Sequence, residues 1–411
     1  MSLRERVYDN LVKRRNRILE GKINCIPSSF TRFSGDFIGI EQSTYYCISS
    51  FTKGGKSQFT SYTFIYKPLL YCYYNKEVGA NLKVLYFPLE ETPERILQRF
   101  ECWLLYEYSG HKLRISPRDL RSTTTAVSQE VLDLLQSDEI QDIIKYFEDH
   151  VIFPEETGNP TGIYKYCKQY AEEHGKVYTK LGKYKDELGV LQERQVFDRY
   201  EQDNPNEYRL IIIDTINLID TERGMTLKQS MDKLSEYLAK YLRNRYNYSP
   251  VVIQQQAFES EGNEAFKLGK VRPSVAGLGD SKYTSRDSNV VLGLFSPFRF
   301  SLREYEGYDI TKFKDNIRFL EVCVNRDGEM GGICPLFFDG AVCHFHELGL
   351  PTDKDSLSKE YEYLKKIRNT KIISNTKSFL SYSLNKKERK LHNKTILSKF
   401  AALFNKIIKK Y

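Results

Sequence analysis

A glycine-containing loop at residues 50–57, with the sequence Ser-Phe-Thr-Lys-Gly-Gly-Lys-Ser, limits the possible folds of this chain more than any other segment. The β-branched and aromatic residues of 44–50 predict a strand before the loop, and a helix is predicted from Ser57 onward. A strand, a loop ending in Gly-Lys-Ser and a helix are typical of a phosphate-binding loop, although Ser50 occupies the position of its first glycine. The alternative is a glycine-rich surface turn.

The residue types in this loop suit the binding of a nucleoside triphosphate. Gly54 and Gly55 let the backbone curl so that its amides face the phosphates, and the N-terminus of the following helix adds positive charge. Lys56 would reach the β- and γ-phosphates, and the Ser57 hydroxyl would ligate Mg²⁺. The predicted nucleotide-binding residues are Ser50, Lys53, Gly54, Gly55, Lys56 and Ser57.

Carboxylates end two further predicted strands. The run 209–214, Arg-Leu-Ile-Ile-Ile-Asp, has the apolar character of a parallel strand buried on both faces, and Asp214 at its end would hold the Mg²⁺ together with Ser57. Glu90 follows the strand at 83–89 and could polarise the water that attacks the γ-phosphate. Glu91 could instead cap the next helix, the two roles could be exchanged, or both acids could be ordinary N-terminal helix charge.

Two other strand ends carry candidate residues. An amide of Gln254–Gln256 could sense the γ-phosphate, or the three glutamines could form a plain polar loop. Arg326 stands before a turn and could reach the nucleotide of a neighbouring subunit, although a single arginine in such a place is usually a surface residue.

The histidines near the C-terminal end of the predicted sheet do not predict a metal site. On a strand, His344 and His346 share a face while Cys343 points to the other side. The sequence offers no second cluster at the spacing of a zinc site.

Strands alternating with helices predict an α/β fold with a mostly parallel central sheet. The turn Asp339-Gly340 between the segments 335–338 and 341–345 indicates a hairpin, which predicts antiparallel strands at the end of the sheet. Residues 176–207 are polar and are read as an exposed insertion. Residues 3–21 predict a basic amphipathic helix.

The distribution of charge and of cysteines indicates possible partners and the compartment of the protein. Residues 365–411 hold 14 Lys and Arg against one acid, Glu388, so the rest of the chain is net negative. Such a tail could tether a polyanion or could simply be solvated. An apolar run of the ~20 residues that span a membrane is lacking, and the eight cysteines are scattered, so a reduced cytoplasmic protein is expected.

In their order along residues 5–347, these motifs resemble the core of the DnaB-type replicative helicases, which have a RecA-like phosphate-loop fold. Leu85–Glu90, Arg209–Asp214 and Pro250–Gln256 are similar to the family's catalytic-Glu, Walker B and sensor strands. Leu278–Asp287 resembles its DNA-contacting loop, and Val324–Gly328 its arginine-finger segment, although Val324 stands where that segment usually has Lys and Gly279 where the loop often has Arg.

The resemblance implies ATP and Mg²⁺ as cofactors and a homo-oligomeric ring, expected to be a hexamer, that translocates on single-stranded DNA. It implies that Glu90 activates water, Gln256 senses the γ-phosphate and relays its loss to the DNA loop, and Arg326 acts in trans. The implied DNA contacts are Asp280, Ser281 and Lys282. A primase or a loader would be a further partner, and no membrane is involved.

The expected layout is a basic linker helix and lead-in segment at 1–30, a RecA-like ATPase core at 31–350 and a basic tail at 351–411. Since the linker helix lies almost at the start, the resemblance is to a divergent, phage-like member without the N-terminal collar domain, working in the bacterial host cytoplasm if phage-encoded. The alternatives are another RecA-like DNA-dependent ATPase of recombination or repair, and a catalytically degenerate DNA-binding or structural component.

Overall fold

A nine-stranded sheet forms the centre of the protein in the computed structural model, which describes residues 2–155, 157–185, 191–257, 271–279 and 281–369. The strand order in this sheet is β15-β14-β13-β10-β3-β9-β8-β4-β5. The described residues form the strands β1 (Ile26–Pro27), β2 (Gly39–Ile40), β3 (Tyr46–Ser50), β4 (Asn81–Pro88), β5 (Val151–Ile152), β6 (Gly175–Lys185), β7 (Leu191–Gln202), β8 (Glu207–Asp214), β9 (Ser249–Gln255), β10 (Val290–Phe295), β11 (Glu304–Tyr305), β12 (Tyr308–Asp309), β13 (Ile317–Asn325), β14 (Ile333–Asp339) and β15 (His344–Glu347).

Helices cover both faces of the sheet. The α-helices are α1 (Leu3–Leu19), α2 (Lys56–Thr60), α3 (Lys67–Tyr74), α4 (Pro93–Tyr108), α5 (Pro117–Leu120), α6 (Gln129–Leu135), α7 (Asp138–His150), α8 (Pro160–Glu173), α9 (Leu227–Glu236), α10 (Asn244–Tyr246), α11 (Tyr283–Asp287), α12 (Ile310–Phe313) and α13 (Lys354–Asn369). π-Helical segments at Ser61–Tyr66 and Tyr237–Arg243 join α2 to α3 and α9 to α10, and short 3₁₀ turns lie at Lys76–Val78, Ile216–Leu218, Pro297–Phe300 and Lys314–Asn316.

The predicted division of the sheet into a parallel and an antiparallel part is confirmed. Strands β10, β3, β9, β8, β4 and β5 run parallel to one another. Strands β13, β14 and β15 continue the sheet in antiparallel pairing. All the parallel strands therefore end at one edge of the sheet, where the residues following β3, β4, β8 and β9 meet.

Side chains alternate between two apolar layers along the central strands. On β8, Leu210 and Ile212 pack against α2 to α7, whereas Ile211 and Ile213 pack against α8 to α10. Both faces are covered, and the strand is accordingly apolar from Leu210 to Ile213, as its sequence predicts. The side chains of β8 are buried from Tyr208 to Asp214.

The polar segment after α8 forms a separate antiparallel ribbon of β6 and β7. Most of its described side chains are exposed or half-buried. Its base is fixed to the core because the Tyr200 hydroxyl donates to the Ala171 carbonyl at 2.8 Å and accepts from the buried Arg209 guanidinium at 2.6 Å.

The two ends of the described chain differ in their packing. Every residue of α1 is exposed or half-buried, and apolar Leu3, Val7 and Leu11 are 71%, 54% and 61% exposed. Helix α13 instead packs on the antiparallel strands through buried Leu357 and Leu364. Along the described parts of the chain, no helix has both the length and the apolar content that crossing a bilayer requires.

Candidate nucleotide-binding site

The loop between β3 and α2 has the backbone conformation that its glycines permit. Gly55 immediately precedes α2 and has a φ of 96°, which a residue with a side chain rarely adopts. A Cβ on Gly54 would lie 1.8 Å from the Ser50 hydroxyl oxygen, so a side chain there would displace that hydroxyl. Lys53 is exposed and also has a positive φ of 57°. The loop is thus a tight turn that leads directly into a helix N-terminus.

A buried carboxylate lies beside the first turn of that helix. The Ser57 hydroxyl donates to Oδ1 of Asp214 at 2.8 Å, and the Tyr86 hydroxyl donates to Oδ2 at 2.7 Å. Burial raises the pKa of Asp214, and the nearby Glu90 carboxylate raises it further, while the hydrogen bonds from Tyr86 and Ser57 oppose that rise. Burial also raises the pKa of Tyr86, so its hydroxyl keeps its proton and donates.

These groups fit a Mg²⁺ ion. A serine hydroxyl and a carboxylate supply the hard oxygen donors that Mg²⁺ prefers. The Ser57 and Asp214 oxygens lie side by side at the start of α2, where the phosphates of a nucleotide would also sit. An ion there would offset the negative charge that burial disfavours at Asp214.

The structure separates the two acids that follow β4. Register places Pro88 opposite Asp214, and the Leu89 amide donates to the Asp214 carbonyl at 2.8 Å. Glu90 is exposed next to this point, whereas Glu91 forms an ion pair with Arg99. Of the two carboxylates, Glu90 is therefore the one that faces the solvent beside the buried acid.

The antiparallel strands support the phosphate loop from behind. Arg318 on β13 is 1% exposed, and its Nε donates to the Gly54 carbonyl at 2.8 Å. Its guanidinium also lies 4.4 Å from the centroid of the Phe338 ring, which packs near Gly55. Sequence reasoning missed Arg318, because its only signal is a charged residue near the start of a mostly apolar strand.

The helix after the loop is held by the same strands. The Gln58 side-chain amide donates to the Gly340 carbonyl at 3.1 Å, and the Cys343 thiol donates to the Gln58 carbonyl at 3.2 Å. The turn between β14 and β15 thus contacts both the side chain and the backbone of one residue in α2. Together with Arg318, these contacts fix the position of the loop relative to the sheet.

The three glutamines at the end of β9 have three different partners. Gln256 is buried, and its amide donates to the Ser49 hydroxyl at 2.7 Å and to the Ser274 carbonyl at 3.1 Å. Gln255, half-buried, donates to Thr52 of the phosphate loop. Gln256, the predicted sensor, also donates from its backbone amide to the Ser50 carbonyl at 3.0 Å, while the side-chain contact with the loop comes from Gln255.

Gln254 connects β9 to the segment predicted to contact DNA. Its amide donates to the Ser281 carbonyl at 2.9 Å, and the Ser281 hydroxyl donates to Asp232 at 2.5 Å. Ser281 is buried, whereas Lys282 is exposed. Asp280, the other predicted contact, lies outside the described residues.

Arg326 lies at the opposite edge of the sheet from the phosphate loop. Asn325 pairs with Val290 at the start of β10, and Val290 pairs with Tyr46 at the start of β3. The phosphate loop follows Ser50 at the other end of β3, which puts roughly 13 Å of strand between the two positions. Exposed Arg326 therefore does not belong to the nucleotide site of its own chain.

We expect Asp214→Asn to stabilise the nucleotide-free protein at neutral pH. A raised pKa means that the native state binds the proton more tightly than the unfolded state, so the charged form destabilises the fold above the native pKa. Removing that charge should raise the free energy of unfolding by about 0.5–2 kcal/mol, the usual range for a single stabilising substitution. The gain should shrink as the pH falls through the native pKa of Asp214 and disappear below the ordinary pKa of an aspartate, where both states hold the proton.

Urea unfolding of the wild type and the variant at several pH values measures this difference. Asp142→Asn, at an exposed position on α7, is the matched control and should change little. A variant less stable than the wild type at pH 7 would contradict the prediction. The same variant should bind Mg²⁺-ATP more weakly.

No protein-family model and no curated protein sequence matches this chain. Among solved structures, it is similar to an isolated ATPase domain, with a TM-score of 0.56 and 15% identity, over 84% of this chain and 99% of that one. It is also similar to a DnaB-like replicative helicase described with its primase interactions, with a TM-score of 0.54 and 14% identity, over 85% of this chain and 67% of that one. The predicted resemblance is thus confirmed in the fold, and the chain has the RecA-like α/β fold of a DnaB-type helicase core.

Proposed function

We propose that this protein is an ATP-driven motor of the replicative DNA helicase type. The observation that carries the proposal is the hydrogen bond from Ser57 to Asp214, with Glu90 exposed at the end of the adjacent strand. A phosphate loop, a metal-binding acid and a solvent-facing carboxylate are the parts that ATP hydrolysis needs. Without Glu90 the same arrangement would suit nucleotide binding alone.

Each part has a role in the proposed reaction. The loop amides and Lys56 bind the phosphates, and Ser57 and Asp214 hold Mg²⁺, which would neutralise charge on the phosphates. Glu90 orients the attacking water and accepts its proton. Its exposure leaves room for a water molecule between the carboxylate and the nucleotide.

Catalysis in this proposal needs a second subunit. Because Arg326 lies at the sheet edge away from its own phosphate loop, it can stabilise transition-state charge only in the site of a neighbouring copy. A head-to-tail contact of this kind generates a closed ring or an open filament. We propose a ring, and the exposed apolar residues of α1 offer a surface for the neighbour.

The proposed DNA contact is the segment of Asp280, Ser281 and Lys282. Lys282 supplies the positive charge for the DNA backbone, so sequence preference should be small. Buried Ser281 anchors the segment to Gln254 at the end of β9, next to Gln255 and Gln256. Loss of the γ-phosphate could thus move the DNA contact through one strand. A primase or a loader would be a further partner.

We expect the purified chain to hydrolyse ATP with Mg²⁺ and to be stimulated by single-stranded DNA. Lys56→Ala should abolish nucleotide binding and turnover. Glu90→Gln should keep ATP binding and lower the rate about 10²–10⁴-fold, the usual contribution of a general base. Steady-state phosphate release and a fluorescent-nucleotide titration measure the two effects.

Glu94→Gln is the matched control, since Glu94 is an exposed acid in the first turn of α4. Its rate should stay within a few-fold of the wild type. Background turnover that is the same in Glu90→Gln and the wild type would support the degenerate DNA-binding component instead. Helical filaments rather than closed rings in electron micrographs would support a recombination ATPase.

The trans role of Arg326 can be tested by mixing two inactive variants. Arg326→Ala leaves an intact phosphate loop, and Lys56→Ala leaves an intact arginine. In rings with equal amounts of both, about a quarter of the interfaces combine the two intact parts if assembly is random. Activity should therefore return to about that fraction of the wild-type rate.

Co-expression with two different tags and tandem purification ensures that the mixed assemblies are present. Arg118→Ala, which removes an exposed arginine on α5, is the control and should be active alone. An inactive mixed assembly, or an active Arg326→Ala protein on its own, would rule out the role in trans.

The part of the basic tail that follows α13, residues 370–411, should add nonspecific affinity for DNA. Residues 370–411 contain 11 Lys and Arg against one acid, whereas residues 354–369 pack on the core as α13. A chain ending at Asn369 should bind single-stranded DNA more weakly and with a shallower salt dependence. The log–log slope should fall by about 0.7 for each phosphate that the tail neutralises in the full chain.

Fluorescence anisotropy at several salt concentrations gives this slope. Replacing Lys386, Lys387 and Lys390 with Gln in the full chain should lower the slope partway, which separates charge from length. An unchanged slope in the shortened chain would show that the tail is only solvated.

A further inference from the structure

Three side chains that share no sequence motif meet behind the phosphate-loop helix. Glu107 lies on the last turn of α4, His111 follows it by four residues, and His344 begins β15. One ligand atom from each lies within 4.8 Å of the other two. Glu107 Oε1 is 2.9 Å from His344 Nδ1 and 3.6 Å from His111 Nε2. Nothing in the proposed ATPase mechanism uses this group.

We propose that Glu107, His111 and His344 form a binding site for a divalent transition-metal ion, with Zn²⁺ as the expected occupant. Two imidazole nitrogens and one carboxylate oxygen are a common zinc donor set, with the fourth position left to water. Bonds of 2.0–2.1 Å in a tetrahedral site separate neighbouring ligand atoms by about 3.3 Å. The two measured separations bracket this value.

The surroundings hold the ligands in place. His344 Nε2 lies 3.2 Å from Nδ1 of His346, and His346 Nε2 lies 3.1 Å from a carboxylate oxygen of Glu360. The second oxygen of Glu107 accepts from Lys67 at 3.1 Å, which leaves Oε1 facing the histidines. Such outer contacts orient metal-ligating histidines and carboxylates.

A metal at this site would brace the strands that support the phosphate loop. It would join the end of α4 to β15, and His346 and Glu360 extend the connection to α13. Cys343, next to His344, donates to Gln58 in α2. The site is distinct from the Mg²⁺ ligands Ser57 and Asp214 and does not depend on the proposed function.

The test uses the full-length protein after dialysis against a chelator, without nucleotide or Mg²⁺, because ATP itself binds Zn²⁺. Competition with a chromophoric chelator should give one Zn²⁺ per chain. His111→Ala should weaken binding at least about tenfold, because it removes one of three ligands. His111 is 49% exposed on its side chain, so this variant should fold.

His174→Ala is the matched control, because His174 follows α8 as an exposed histidine outside the cluster, and its Zn²⁺ affinity should equal that of the wild type. Glu107→Gln should weaken binding as His111→Ala does. Zn²⁺ should also raise the melting temperature of the wild type but not of His111→Ala. Either no stoichiometric binding, or binding that both cluster variants retain, would overturn the proposal.

Discussion

The negative charge of Asp214, buried where three parallel strands end, is the constraint on which the arrangement of the site depends. A carboxylate in such a place is unfavourable unless donors or a cation face it. Ser57 and Tyr86 supply two donors, one from the phosphate-loop helix and one from β4. The remaining demand for positive charge is what a metal ion with a nucleotide would meet. In the nucleotide-free protein, the negative charge of Asp214 is therefore only partly compensated.

The phosphate loop takes its shape from distant parts of the chain. Its glycines allow the backbone to form the turn, but glycines also allow many other conformations. Selection comes from buried Arg318, which donates to the Gly54 carbonyl, and from the β14–β15 turn, which holds Gln58. Leaving the Gly54 carbonyl without that donor would cost about 1–3 kcal/mol. The antiparallel strands thus hold the loop rigidly in addition to extending the sheet.

The sequence revealed those parts of the site that follow strand ends. The Gly-Lys-Ser turn and the apolar run closed by Asp214 have local patterns, so both could be placed before any contact was known. Glu90 and Glu91 have the same local pattern, and they are separated in the structure by the exposure of Glu90 and the ion pair of Glu91 with Arg99. Local pattern gives the position of a side chain on a strand, but its partner depends on the neighbouring elements.

Long-range contacts explain what the sequence did not reveal. Arg318 meets Gly54 across 264 residues, and no spacing rule connects them. The cluster of His111 and His344 was hidden for the same reason, since one ligand follows a helix and the other begins a distant strand. Ser281 was predicted to contact DNA from its place in the segment 278–287. Its hydroxyl instead donates to Asp232 on α9.

The end of β9 is where ATP hydrolysis and DNA binding, the two proposed activities, can be coupled. Register puts Gln255 beside Ser50, so the strand ends next to the start of the phosphate loop. Gln255 contacts Thr52 of that loop, while Gln254, one residue earlier and on the other side of the strand, holds the Ser281 carbonyl. A shift of the backbone at this point changes both contacts together, because consecutive residues of a strand cannot move independently. The nucleotide site and the proposed DNA contact can therefore be coupled directly through the end of β9, without further residues between them.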